Sequence, residues 1–428
     1  MLDPIPASPS GTVSADPIRI LFVDDDPSVL QGLGRSLRKK RTEWDMVFAQ
    51  GGVAGIEAMT EGEFGVIVSD VHMEDVDGFE VLKFAKEWQP EALRIVLTGQ
   101  TQFDVSLRTV SVAHQCLAKP CDRYEVRESI ERACTLRGLL GDESLRKTLS
   151  SIESLPTTPE LFTKLTRLLE DEGTGAADIG ALLQRDLGMS AKILQVVNSA
   201  FFGLPRRITN ITEAVSFLGQ RVIRAMVLGE EAFRPFRGKG LFSATDLERE
   251  QDHGLQVARL ARKLVGTGDL AEGAFLAGMM HDIGWTVAGC LLPDLYRSFD
   301  AQRRAGRRGP TIERQTMGAT HEAIGAFLLG AWGLPLTVVE AVAYHAEPHK
   351  VPHEQMDVVT AVHVATSLLY EMRTADGVFD TRPSGQPLNE PYLASLGLRG
   401  EIDGWRRAAL EFQQDCMSDS GDPEPPPS

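Results

Sequence analysis

Four apolar runs in the first third of the chain each end in side chains able to do chemistry. Residues 18–23 run into Asp24-Asp25-Asp26, residues 66–68 towards Asp70, residues 93–97 into Thr98-Gly99, and residues 115–118 into Lys119-Pro120. Short apolar runs between polar segments read as buried parallel strands. Open α/β sheets gather their chemistry at the carboxyl ends of such strands. One sheet edge would therefore collect an acid pair, a third acid, a hydroxyl and an amine.

The elements that must position these groups alternate over residues 18–140. Pro27 suits a first helical turn, and Val29, Leu30, Leu33 and Leu37 then follow helical spacing. A strand is expected over 44–49 and a helix over 53–61. Phe79, Val81, Leu82, Phe84 and Ala85 fit a helix after Asp77-Gly78, and further helices are expected near 102–112 and from Asp122. The pattern predicts an α/β fold: a doubly wound, five-stranded parallel sheet.

The stretch Ile20-Leu-Phe-Val-Asp-Asp-Asp26-Pro27, together with Asp70, Asp77-Gly78, Thr98-Gly99 and Lys119-Pro120, resembles a response-regulator receiver domain. The resemblance spans about residues 18–138. It implies that Asp70 is the nucleophile that accepts a phosphoryl group from a histidine kinase. Asp24, Asp25 and Asp70 would supply hard oxygen ligands to Mg²⁺, joined by the backbone carbonyl of His72. Thr98 and Lys119 would hold the phosphoryl oxygens. One position departs from the family. The aromatic switch expected three residues before the lysine is Cys116, so Thr98 movement would have to repack Cys116 and the adjacent helix instead. Asp26 reads as a solvated charge.

From Ser154 onward long amphipathic patterns replace strand-like runs, and an all-α bundle of ten or so helices is expected. Leu155-Pro-Thr-Thr-Pro159, Arg185-Asp186, Asn198-Ser-Ala-Phe-Phe-Gly203, Phe217-Leu-Gly219, His281-Asp-Ile-Gly284, His321-Glu-Ala-Ile-Gly325, Trp332-Gly-Leu-Pro335 and Ala343-Tyr-His345 are similar to the HDOD domain. That domain is a relative of the HD phosphohydrolases, and the likeness covers about residues 150–415. HD enzymes bind metal through a first His, an adjacent His-Asp pair and a later Asp. His253, His281 and Asp282 match three of these, but the later Asp is Thr366, whose neutral hydroxyl anchors a divalent ion poorly. His321 and His345 match two further ligands of the cyclic-di-GMP phosphodiesterase branch. The second His expected after His345 is Ala346, the expected lysine is Trp285, and no Gly-Tyr-Pro follows. Three readings follow: a vestigial site hydrogen-bonded within the bundle, a second metal site with a structural or ligand-sensing role, or active phosphohydrolysis. Asn198-Ser199-Ala200 is expected to fix a helix junction by hydrogen bonds. Pro348 and Pro352 keep His345, His349 and His353 off a common helix. Arg303, Arg304, Arg307 and Arg308 read as a solvated loop, with a nucleotide or acidic partner as the lesser reading.

The chain has 428 residues and a net charge of −16. That length predicts two or three domains. The charge argues against general nucleic-acid binding, which needs a cationic face. Five cysteines without CxxC or framework spacing fit a reducing compartment. The expected organisation is a disordered tail (1–17), a receiver domain (18–138), a linker (139–150), an HDOD helical domain (151–415) and a second disordered tail (416–428). The functional expectation is a cytoplasmic bacterial response regulator with Mg²⁺ in the receiver. Phosphorylation of Asp70 would change docking against the bundle, or homodimerisation, and expose a face for an unknown downstream protein. No apolar run reaches the ~18 residues of a membrane span. No basic recognition helix is evident, so direct DNA binding is not expected. The alternative is a phosphorylation-controlled, metal-dependent phosphodiesterase or a nucleotide-binding sensor.

Overall fold

The structure is a computed structural model that describes residues 17–98, 112–119, 123–152, 155–157, 159–170, 174–198, 206–228, 234–235, 241–307, 309–375 and 385–419. Strands β1 (Ile18–Asp24), β2 (Trp44–Gln50), β3 (Val66–Asp70), β4 (Leu93–Thr98) and β5 (Gln115–Ala118) pair in parallel in the order β2-β1-β3-β4-β5. Every residue of β3 and β4 is buried, as happens when helices cover both faces of a parallel sheet. The register sets the strand ends level: Val23 lies opposite Ser69, Asp70 opposite Leu97, and Thr98 opposite Ala118. The order reverses at β1, between β2 and β3, and such a switch point opens a crevice at the carboxyl ends.

The sheet is flanked by α1 (Pro27–Ser36), α2 (Gly52–Glu61), α3 (Gly78–Trp88) and α4 (Arg123–Leu139). Asp26 is exposed but does more than carry a solvated charge: its carboxylate caps α1, accepting from Ser28 N–H at 2.7 Å. The period-2 alternation sorts the strand residues into two apolar layers. Leu21, Val23, Ile67, Val96 and Cys116 pack with residues of α2 and α3, including Met59 and Val81. Phe22, Val68, Ile95 and Leu117 pack with Val126, Ile130, Ala133 and Leu136 of α4. The helix expected near 102–112 lies outside the described residues, apart from Val112, as do Gly99, Pro120 and residues 1–16.

The second layer does not end at α4. It runs on through Leu145 and Leu149 of α5 (Glu143–Ser150) into the core of the helical half. That half begins with α6 (Pro159–Glu170), α7 (Ala176–Leu183), α8 (Leu187–Val197), α9 (Ile211–Leu228), α10 (Ala244–Val265), α11 (Asp269–Met280) and α12 (Ile283–Leu291). It continues with α13 (Pro293–Arg304), α14 (Pro310–Met317), α15 (His321–Ala331), α16 (Leu336–Tyr344), α17 (Val358–Ala375), α18 (Glu390–Ser395) and α19 (Ile402–Asp419). These helices outnumber the ten or so expected, because several are short and the chain turns sharply between them. The helices α13 and α14 start on Pro293 and Pro310. A two-residue parallel pair, Pro156–Thr157 with Arg234–Pro235, is added to the helices. The last helix overruns the tail expected from 416, continuing to Asp419, and it packs against α10 and α17. No single helix among the described residues is long and apolar enough to cross a membrane.

Candidate functional site

The acidic pocket forms where β1 and β3 end side by side. Asp24 and Asp70 are buried, and Asp25 is half-buried beside them. Ligand oxygens of the three carboxylates lie within 4.8 Å of one another, a spacing that suits a hard cation. Lys119, just past β5, spans the pair: its Nζ lies 2.7 Å from Asp24 Oδ2 and 3.0 Å from Asp70 Oδ2. Burial pushes the Asp70 pKa up, and the hydrogen bond from Lys119 only partly offsets this. Burial opposes the Lys119 charge, but its bonds to Asp24 and Asp70 hold the pKa above the ordinary value. Thr98 is buried at the end of β4, and its carbonyl accepts from Lys119 N–H at 2.7 Å. His72, two residues past Asp70, has an exposed side chain.

The Asp77-Gly78 pair has separate structural reasons. Asp77 caps α3, accepting from Glu80 N–H at 2.9 Å. A Cβ on Gly78 would sit 1.9 Å from the Asp70 carbonyl oxygen, so only glycine lets α3 begin there. Cys116 is buried and its thiol is pushed up to about 12, which makes it a packing group rather than a reactive thiolate.

A second constellation lies inside the helical half. His253 of α10, His281 and Asp282 between α11 and α12, His321 at the start of α15, and His345 at the end of α16 all converge there. Their Nε2 atoms surround one carboxylate. His281 lies 3.3 Å and His253 3.8 Å from Asp282 Oδ2; His321 lies 3.2 Å and His345 3.9 Å from Oδ1. The opposite ring edges are tied down. The Nδ1–H groups of His281 and His345 donate to the carbonyls of Gly278 (2.7 Å) and Val342 (3.1 Å), and that of His321 donates to the Glu313 carboxylate (2.8 Å). When these rings are neutral, their Nε2 lone pairs must face Asp282. The Nε2 atoms of His281, His321 and His345 are buried, and the group they face is the Asp282 carboxylate, at 3.3, 3.2 and 3.9 Å. Histidines that ligate metal are held by this same outer bonding of the second ring nitrogen, and imidazole with carboxylate suits a transition-metal ion. Gly284 permits the approach, since a Cβ there would lie 1.9 Å from the His321 carbonyl oxygen.

Sequence reasoning missed two carboxylates. Glu313 of α14 and Glu322 of α15 are buried, with oxygens 2.8 and 3.3 Å from His321 Nδ1. Burial alone would depress the His321 pKa, but Glu322, Glu313 and Asp282 outweigh it and hold it well above the ordinary value. Burial would likewise raise Asp282, yet His281 and His321 hold it well below. Burial pushes His345 down to about 4. A spacing of eight residues between Glu313 and His321, across a turn, carries no periodic signal.

Trp285, where a lysine was expected, stacks on the His321 ring with centroids 4.5 Å apart and an interplanar angle of 20°. Phe299 and Tyr296 back it, so apolar rings close that side of the cluster. Thr366 on α17 spends its hydroxyl on the Val362 carbonyl at 2.8 Å. His363 is a structural group: its Nδ1 donates to the His345 carbonyl and its Nε2 accepts from Asn389 N–H. Arg303 and Arg304 are not loop residues as expected: they form the last turn of α13 and pair with Asp300 one turn earlier; Arg308 lies outside the described residues. Asn198 holds a junction as expected, donating to the Ile208 carbonyl and accepting from its N–H. Ser199 and Ala200 are not described.

Comparison with known proteins gives two family matches: a response regulator receiver domain over residues 20–131 and an HDOD domain over residues 155–348. An uncharacterized protein of Treponema pallidum (strain Nichols) is 26% identical over 232 residues, 53% of this chain and 44% of that protein. The transcriptional regulatory protein GlrR of Escherichia coli (strain K12) is 27% identical over 191 residues, 44% of this chain and 40% of that protein. The chain thus spans under half the length of these curated relatives. Among solved structures, the MmoQ response regulator of Methylococcus capsulatus str. Bath matches with a TM-score of 0.43 and 20% identity, covering 60% of this chain and 98% of that one. A virulence factor from Campylobacter jejuni subsp. jejuni matches with a TM-score of 0.43 and 18% identity, covering 56% of this chain and 95% of that one.

Proposed function

We propose that this chain, a response-regulator receiver domain followed by an HDOD domain, takes a phosphoryl group on Asp70 and passes that event to the helical bundle. A receiver domain implies a histidine kinase or a small phosphodonor as its partner. The observation that carries the reading is Lys119 spanning Asp24 and Asp70 within a three-carboxylate pocket. An Asp70 carboxylate oxygen attacks phosphorus, the bond from phosphorus to the donor breaks, and the leaving group departs with that electron pair. Lys119 and Thr98 take up the phosphoryl oxygens. Asp24, Asp25, Asp70 and the His72 carbonyl would hold Mg²⁺, which offsets the charge gathered there. Asp70→Asn protein should take no phosphoryl group from acetyl phosphate and Mg²⁺, read by intact mass. Incorporation at the wild-type rate would remove Asp70 as acceptor.

In the same reading the receiver domain occupies residues 18–138 and the linker 139–150. The HDOD domain starts near 151, and its output is contact with a downstream protein or a second copy of the chain, in the cytoplasm. Closure of the His/Asp cluster by Trp285 supports a non-hydrolytic role for the bundle. A second reading is favoured by the three buried Nε2 atoms facing a carboxylate: the cluster holds one divalent transition-metal ion as a structural element. Protein dialysed against chelator-free buffer should then retain about one ion per chain by elemental analysis. His281→Ala protein should lose it and melt at a lower temperature. Metal-free wild type melting like the dialysed protein would leave the cluster as a hydrogen-bonded relic.

A further inference from the structure

The receiver and the bundle meet at the edge of β5, and this seam carries an inference that rests on the Asp70 reading. Gln115, the first residue of β5, donates from Nε2 to the Gly330 carbonyl of α15 at 3.0 Å. The next residue, Cys116, lines a small polar cavity with Ala113, Gln195, Asn198, Arg207 and Gly333. Arg207 braces the bundle side, its Nη1 donating to the carbonyls of Asn198 (2.6 Å) and Gly333 (3.2 Å). Two buried acceptors at this seam, Gln115 Oε1 and Gln195 Oε1, have no hydrogen-bond partner among the described residues. Buried polar atoms are rarely left so, and these give the seam unused bonding capacity.

We propose that β5 itself is the transmitter: a shift of Lys119 toward a phosphoryl group on Asp70 slides or tilts this strand, and Arg207 with Gln195 reads the movement. Three observations support it. The strand has only four residues and ends directly at Lys119, so about 13 Å of extended chain joins the phosphoryl-sensing ammonium to the Gln115 bond. Position 116 holds a small thiol that packs in the receiver's α2/α3 layer and also lines the cavity shared with Asn198, Arg207 and Gly333 of the bundle. A bulky ring there would have to share that space, so a small residue at this position is what lets the bundle seat on the strand. Gln115 and Gln195 line the same cavity, and Gln195 Oε1, unpartnered among the described residues, offers the Gln115 amide a second acceptor on the bundle side.

The test is hydrogen exchange on the full chain, with and without acetyl phosphate and Mg²⁺, alongside intact mass to count phosphoryl groups. In wild type, phosphorylation should change exchange at 206–215 and 330–335 by about tenfold, the scale of one charge-assisted hydrogen bond. In Arg207→Gln and, separately, Gln115→Ala, phosphoryl incorporation should stay at the wild-type level while that change disappears. Circular dichroism shows which variants are folded, and the test is read on every folded variant. Incorporation with an unchanged bundle in wild type, or with a full bundle response in a folded variant, overturns the inference while leaving Asp70 as acceptor. No incorporation in wild type overturns the Asp70 reading, and the inference with it.

Discussion

At the scale of single residues, Asn198 shows how a motif side chain can be essential without touching chemistry. Its amide clasps Ile208 by both backbone groups, at 2.8 Å to the carbonyl and 2.7 Å from the N–H, closing the loop between α8 and α9. Its own carbonyl then receives Arg207. Only an amide offers a donor and an acceptor together in that geometry. Asn198→Ala should orphan both Ile208 groups and cost about 3 kcal/mol, measured by urea denaturation. Asn198→Asp should cost at least as much, because a carboxylate oxygen would face the buried Ile208 carbonyl. A stability equal to wild type in both variants would show that the clasp is dispensable. The contrast with Cys116 is instructive: burial keeps its thiol protonated, so its part is played by its size.

At the scale of elements, the strands were legible because their run lengths, alternation and end residues all point the same way; the described bounds of β1 and β2 extend the expected ones by a single residue each. The helices of the second half were legible as helices but not in number, since apolar spacing does not show where a buried turn interrupts it. His253, His281, Asp282, His321 and His345 were found through their motif, whereas Glu313 was not, because one acid on a short amphipathic helix looks like surface charge. Helix starts also carry a testable electrostatic device. Asp357 caps α17 by accepting from Thr360 N–H at 2.8 Å, and it binds His353 Nδ1 at 2.5 Å. Burial opposes both charges, but the pairing raises the His353 pKa above 6.5 and lowers the Asp357 pKa below 3.8. The Asp357 contribution is present above its unfolded pKa and fades as pH falls through the lowered folded value. The His353 contribution is full below its unfolded pKa and fades as pH rises through the raised folded value. The stability gap between wild type and His353→Gln should therefore be widest at about pH 4.5–6 and narrow on the alkaline side. A gap that grows steadily up to pH 9 would contradict the pairing.

At the scale of the whole molecule, the sheet and the bundle share one apolar cluster. Phe22, Val68 and Leu117 of the sheet connect through Val126, Ile130 and Leu136 of α4 to Phe327, Trp332 and the rest of the bundle core. Side-chain bonds to backbone reinforce the junction: Arg94 and His114 both reach the Ser150 carbonyl at the end of α5, and Trp332 Nε1 donates to the Ile152 carbonyl. None of this was legible in the sequence, because contacts between two separately patterned halves leave no periodic trace in either. The consequence is thermodynamic. A receiver that unfolded alone would expose the α4 face and, with it, apolar surface of α15; inter-domain faces that are small and polar allow independent melting, and this one is apolar at its centre. The full chain should then melt in one transition, and a core change at the junction should lower it for both halves together. Leu136 is the place to test this, since it packs so closely on Gly330 that a Cβ on that glycine would lie 2.5 Å from its methyl groups. Leu136→Ala should cost about 2–5 kcal/mol and, by hydrogen exchange, raise global opening equally at β3 and at α17. Two calorimetric transitions, with only the receiver's lowered by the substitution, would mean that the halves are merely apposed. The phosphoryl signal would then have to cross a contact that can come apart, rather than a core that moves as one.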